Sequence, residues 1–196
     1  YCHWKSNAAL VRSALGLNDL DLLVAKSDLQ KFLAILHALG FKEAHSPDEI
    51  KVAGVRNYYG YDPHADVFVN VHAHFKLVIG HDLTKNFHLP IEQPYLAASI
   101  QQGLFRVASP EFEMLLFVVR MVIKHFTWDS ILLGHGHLSP SEQNELNYLQ
   151  NHISMSVLDE ALSRHLKVID PLVFYSCYDL LKHNASLLDR LRVGQK

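Results

Sequence analysis

This chain predicts an α+β fold: a mixed β-sheet with flanking helices, followed by a helical C-terminal half. Three observations predict it. An apolar run carrying two acids, DLDLLV at residues 19–24, lies between two segments of helical periodicity. The stretch VRNYYGYDPHADVFVNVHAHFKLVI, residues 55–79, is two β-rich runs around a Pro/Asp turn. From Ser109 onward strand character fades and helical segments follow one another. The division expected is an α/β domain over 1–108 and a helical domain over 109–196 packed on it, with no low-complexity linker between them.

In chain order, residues 7–15 have their apolar positions on one helical face, with Ser6 or Asn7 as N-cap and Gly16 as the stop. DLDLLV follows as a strand, apolar at every non-acid position, which suits a strand covered on both faces. Ser27 or Asp28 then caps a helix whose Leu29, Phe32, Leu33, Leu36 and Leu39 share a face, and Gly40 closes it. FKEAH is a second strand, and the 55–79 hairpin comes next. Beyond Gly80 the pattern is loop until Pro94, then a short helix over YLAASIQQ and a short strand, FRVA. Ser109-Pro110-Glu111 is a helix start, with N-cap, proline at the first position and acid in the first turn, and opens a helix to about residue 126. Further helices are expected near 140–152, 156–167, 171–182 and 184–193.

Bulk properties narrow the functional classes. Of 196 residues 49% are hydrophobic and 19% charged, enough to bury a sizeable core. A net charge of −2 gives no general attraction to nucleic acid or an anionic membrane, so neither is an expected partner. Cys2 and Cys177 stand far apart with no metal or redox spacing, which points to a reduced, cytoplasmic protein. The longest apolar run, MLLFVVRMVI, is broken by Arg120 and is too short to span a bilayer. The chain opens on Tyr1 without a signal-peptide pattern and ends in RVGQK, so it reads as a piece of something longer.

The two acids carry the chemistry. Alternation along a strand puts Asp19 and Asp21 on one side, with Leu20 and Leu22 on the other. Two carboxylates one pleat apart repel, and burying them unpaired is costly. A divalent cation resolves that conflict: Mg²⁺ or Mn²⁺ takes such oxygens and completes its shell with water and phosphate. An ordinary alternative is an Asp19 in water at a strand mouth and an Asp21 paired with a cation of the protein.

The surroundings of the pair resemble a known signature. HWKSN stands upstream, and twelve residues separate Ser6 from Asp19. This resembles the motif of the DNA polymerase beta-like nucleotidyltransferase superfamily: an apolar residue, Gly, then Gly or Ser, a spacer, then acid–apolar–acid–apolar. Trp4, Ser6, Asp19, Leu20, Asp21 and Leu22 match, and Lys5 stands where the family usually has Gly. With YYGYD, VNVHAHFKLVIG and SPEFEMLLFVVRMVIKH, the likeness covers roughly residues 1–130. It looks most like nucleotidyltransferase-like domains from bacterial polysaccharide-type gene neighbourhoods, some fused ahead of a thymidylate-kinase-like domain. The resemblance implies a nucleotidyltransferase-like sheet and a metal on Asp19 and Asp21. It also implies a nucleoside triphosphate whose phosphates meet Ser6, Asn7 and the helix start after them.

Active members of that superfamily carry a third acid on a neighbouring strand. The parity of DVFVNVHAHF puts Asp66, Phe68, Asn70, His72 and His74 on one face, so the third position falls on Asn70, His72 or His74. A histidine there is a proton acceptor, a metal ligand favouring Zn²⁺ or Mn²⁺, or the mark of a fold that has lost catalysis. Asp66 itself falls in the turn. Lys5, Arg56, Lys76, Arg120 and Lys124 are the cations available for triphosphate, the last two sharing a helix face at i, i+4; solvent-facing charges are the plain alternative. Tyr58, Tyr59 and Tyr61 suit stacking on a base or cross-strand packing, and GHGHL at 134–138 suits a loop.

The function expected is transfer of a nucleotidyl group to a hydroxyl-bearing small molecule such as a sugar. Asp19, Asp21, His72 and His74 would be its catalytic set. The alternative is an inactive module that binds nucleotide or docks a kinase-like partner domain.

Overall fold

Period-two alternation and a tight turn place the site strands. The computed structural model describes residues 1–45, 52–80, 87–126 and 137–183, and the chain divides into two units, Tyr1–Ser109 and Pro110–Lys196. The first unit contains β1 (Cys2–His3), β2 (Leu20–Leu23), β3 (Lys42–Ala44), β4 (Val55–Asp62), β5 (Val67–His74), β6 (Val78–Ile79), β7 (Phe87–His88), β8 (Ile100–Gln102) and β9 (Phe105–Val107). Seven of them form one sheet in the order β3-β4-β5-β2-β1-β9-β8, with β6 and β7 paired separately. The sheet is mixed: β2 runs parallel to β5 and β1 parallel to β9, while the remaining neighbours are antiparallel. The α+β class with a mixed sheet is therefore present.

Register sorts the two faces. Leu22, Val24, Tyr58, Val71, Ala73 and Phe75 are buried together with Leu36 of α2 (Leu29–Ala38), and Leu29, Phe32 and Leu33 of that helix pack against them. Full burial of each such side chain is worth roughly 1.5–3 kcal/mol. The opposite parity carries Asp21 on β2 and Asn70, His72 and His74 on β5, where Asp21 pairs in register with His72 and Leu23 with His74. One face of the sheet is thus core, and the other gathers acid, amide and imidazole.

Several expected elements differ in extent. The helix over 7–15 is a 3-10 turn, Asn7–Ala9, followed by only five α-helical residues, α1 (Leu10–Ala14). Leu39 lies past the end of α2 and is exposed, because the helical period stops at Ala38 before the left-handed Gly40. The helix expected over YLAASIQQ is α3 (Glu92–Ala97), and Ile100–Gln102 is instead a strand, turned back on β9 through Gly103 with φ of 59°. The turn of the long hairpin falls where expected, and Asp66 sits in it with φ of 54°.

The second unit contains α4 (Pro110–His125), α5 (Pro140–Gln150), α6 (Met155–His165) and α7 (Pro171–Lys182). The first of these is buried around most of its girth and touches each of the other three. A capping box joins Ser139 and Glu142 at the start of α5, and the Asp170 side chain accepts from Leu172 N–H at the start of α7. The helix expected at 184–193 and residues 134–136 of GHGHL lie outside the described residues. No described helix is long and apolar enough to cross a membrane.

Candidate metal centre and anion pocket

The centre is built on β2 and β5. Because those strands are parallel and in register, Asp21 and His72 stand side by side, and His74 follows two residues along the same face. Asp21 Oδ1 lies 3.1 Å from Lys5 Nζ, 3.5 Å from His72 Nδ1 and 3.3 Å from His74 Nε2. Three nitrogens therefore converge on one carboxylate oxygen. The side chain of Asp21 is only 11% exposed, and that of Asp19, just before the strand, is 50% exposed.

His72 stands between the two acids, its Nε2 3.6 Å from Asp19 Oδ2. Asn70 Nδ2 donates to Asp19 Oδ1 at 2.8 Å and lies 3.1 Å from His72 Nε2. With the amide donating to both, Nε2 of His72 accepts and its Nδ1–H faces Asp21. Trp4 is buried behind the cluster, its ring edge-on to His74 at 4.8 Å between centroids. The Trp4 backbone ties this corner down: its N–H donates to the Asp21 carbonyl at 3.2 Å, and its carbonyl accepts from the Tyr95 hydroxyl.

Electrostatics follow from this crowding. Burial alone would raise the Asp21 carboxyl. Hydrogen bonds from His72 and His74 and the Lys5 ammonium outweigh it and hold the acid far below the usual carboxylate range. Burial pushes the His74 imidazole down to about 4, with Lys5 and His72 adding to the effect and the Asp21 contacts opposing it. At neutral pH the buried pair is a charged carboxylate beside a neutral imidazole.

Beside the cluster opens a pocket of about 410 Å³, lined by both acids, Lys5, Ser6, Ser13 and Asn18 among others. Ser6 has φ of 56° and ψ of 43°, a left-handed conformation that costs a non-glycine residue roughly 1–2 kcal/mol. Its side chain makes no helix-capping bond. The helical stretch behind it is too short to offer the N-terminal dipole expected of a phosphate cradle.

No protein-family model matches this chain, and no curated protein or solved structure matches it. The resemblance to nucleotidyltransferases is carried by the motif residues alone.

The other candidate residues fall elsewhere. Asn7 is buried and its Oδ1 lies 2.6 Å from His3 Nδ1, so it faces inward. Arg56 pairs in register with the core residue Ala73, which sets it on the sheet face opposite the acids, and its guanidinium lies 3.6 Å from Glu43. The Lys76 stem lies close over Gly54, where a Cβ would come within 2.9 Å of it. Arg120 donates to Glu145 at 2.6 Å and Lys124 to Glu142 at 2.7 Å, so both cations are engaged by acids of the helical unit. Tyr58 is core; Tyr59 and Tyr61 are exposed.

Sequence reasoning missed His3, Ser13 and Asn18 in the pocket wall, and it missed β1. A two-residue strand has no period to read. Its only signal was the match of Trp4 to an apolar motif position.

Among the described residues, Asp21, His72 and His74 are the one group of three or more His, Cys, Asp or Glu side chains placed to share an ion, with their ligand atoms within 4.8 Å of one another. The donor set bears on which ion would fit. An oxygen-only shell, as Mg²⁺ asks, is not what surrounds Asp21; two imidazole nitrogens and a carboxylate suit Mn²⁺ or Zn²⁺ better.

Proposed function

We propose that the Tyr1–Ser109 unit binds a nucleoside triphosphate with a divalent cation and transfers its nucleotidyl group to a hydroxyl-bearing small molecule, with a sugar as one candidate acceptor. The observation that carries this reading is the pocket in which Asp19 and Asp21 stand beside Lys5, Ser6, Ser13 and Asn18. Two acids one pleat apart, a lysine and several hydroxyl or amide groups make a wall suited to a phosphate chain escorted by a metal ion. The mixed sheet and the match of Trp4, Ser6, Asp19 and Asp21 to the nucleotidyltransferase motif support the same reading.

Each residue then has a task. Asp21, held ionised, is the anionic anchor of the cation, which on binding would neutralise charge on the phosphates. Lys5 Nζ turns from Asp21 to a phosphate oxygen, a move its partly exposed side chain permits. Ser6 and Ser13 offer hydroxyl donors. The acceptor's hydroxyl oxygen attacks the α-phosphorus, the bond from that phosphorus to the bridging oxygen breaks, and pyrophosphate leaves. The hydroxyl proton passes to Asp19, the exposed carboxylate at the pocket mouth, which Asn70 and His72 orient. His74, buried against Asp21, positions that acid and does not reach substrate.

One observation favours a second reading. Lys5 already compensates Asp21, and an imidazole occupies the neighbouring position in register where a further acid would be expected. In that reading the unit holds nucleotide, or docks a kinase-like partner domain, without transfer. Calorimetry with ATP, CTP, GTP and UTP and Mn²⁺ or Mg²⁺, joined to a pyrophosphate-release assay with sugar acceptors, separates the two. Binding with release supports transfer, and binding without release supports the module. No heat with any nucleotide, or heat unchanged by Asp19→Ala/Asp21→Ala, overturns transfer and nucleotide holding at this pocket and leaves the docking form of the second reading.

A further inference from the structure

We propose that Asp21, His72 and His74 form a three-ligand site for a first-row transition-metal ion of the imidazole-preferring kind, with Asp19 as the carboxylate behind His72 and Lys5 as the cation that fills the site when no metal is bound. The inference rests on the reading of this pocket as metal-assisted in one respect, since it names that metal's ligands. It departs from the motif in taking Asp19 out of the ligand set.

Spacing comes first. The contacts from Asp21 Oδ1 to His74 Nε2 and His72 Nδ1, 3.3 and 3.5 Å, are long for N–H···O bonds, whose usual range is about 2.7–3.2 Å. They match the separation of about 3.3 Å between two ligands of a tetrahedral ion held at ~2.0–2.1 Å. All three ligand atoms lie within 4.8 Å of one another.

Proton placement is consistent with the same site. An ion on His72 Nδ1 would move that ring's proton to Nε2, which would then turn from the Asn70 amide toward Asp19 Oδ2, 3.6 Å away. Metal-bound histidines characteristically have such an outer carboxylate. At His74, Nε2–H donates to Asp21, and the far nitrogen, Nδ1, is buried and meets no partner. An ion on Nε2 would shift that proton to Nδ1, while the Trp4 ring packs edge-on against the imidazole.

Charge points the same way. Asp21 is a buried carboxylate that needs a positive neighbour, and Lys5 supplies it at 3.1 Å. A lysine that reaches the centre from a partly exposed position is a displaceable counter-charge. Its withdrawal on metal binding also frees it for the pocket.

The test is zinc titration of the chelator-treated chain by calorimetry, with Co²⁺ absorption as the readout of imidazole ligation and Mg²⁺ in parallel. One Zn²⁺ per chain is expected, with Mg²⁺ bound far more weakly. His72→Gln and Asp21→Asn should lose more than the about 10–100-fold that removal of an outer partner costs, and Asp19→Asn should fall within that range. Lys5→Met should bind zinc more tightly than the native chain. Because His74→Gln alters a buried position, its circular dichroism and melting curve are compared first, and the His72 variant, at a half-buried site, decides the matter if that protein does not fold. Absence of a stoichiometric zinc site, or zinc affinity unchanged in His72→Gln, overturns the proposal. Zinc affinity unchanged in His72→Gln, together with Mg²⁺-dependent nucleotide binding that vanishes in Asp19→Ala, removes this ligand set while leaving the transfer reading intact. Zinc bound by the histidines with no nucleotide heat does the reverse.

Discussion

The Oδ1 atom of Asp21 has a lysine and two imidazoles within 3.5 Å, and the hydrogen bonds from His72 and His74, with the Lys5 charge added, keep that carboxylate ionised under burial. Removing the acid strands Lys5. Asp21→Asn should cost about 1–3 kcal/mol of stability in urea denaturation. Adding Lys5→Met should return part of it, because the second change removes the stranded charge. Strict additivity in that double-mutant cycle would mean the pair is not coupled. The parity of β5 was readable, since apolar and polar residues alternate without a break from Val69 to His74. The Lys5–Asp21 contact was not. The two residues stand on either side of α1, and only β1, which the sequence does not announce, brings them together.

At the scale of elements, local chemistry explains both what was legible and what was not. Gly40 and the Ser109-Pro110 start were readable because a left-handed C-terminal residue and an N-cap with proline are specific signals. Ile100–Gln102 misled because an alanine-rich stretch precedes it, and the turn that makes it a strand depends on the single residue Gly103. The α5 start gives two predictions. Ser139→Ala removes a capping hydroxyl and should cost about 1 kcal/mol in chemical denaturation. Glu142 is the more informative. Burial would raise its carboxyl, but bonds from His125, Lys124 and the Ser139 N–H hold it well below the usual value of 4.5. An acid depressed in the fold contributes its full stability above its unfolded pKa and loses it as pH falls below that value. The melting temperature should therefore drop more steeply between about pH 5 and pH 3 in the native chain than in Glu142→Gln. Parallel curves would contradict that assignment.

For the whole molecule, the chain divides into two compact units between Ser109 and Pro110, beside the change of texture in the sequence at Ser109. The cations assigned from helical spacing did not survive as open charges. Spacing puts Arg120 and Lys124 on one face, but it cannot show that Glu145 and Glu142 already hold them. What joins the sequence motif to the fold is the side of the sheet away from α2, where two acids, two histidines and a lysine gather beside a pocket. Diffraction at the manganese edge from crystals soaked with Mn²⁺ and a non-hydrolysable nucleoside triphosphate addresses that arrangement most directly. The expected result is an anomalous peak about 2.2 Å from Asp21 Oδ1, phosphate density along Ser6, and Lys5 turned away from the acid. A Lys5–Asp21 pair left intact, with no peak between the aspartates and histidines, would contradict the metal-bound pocket.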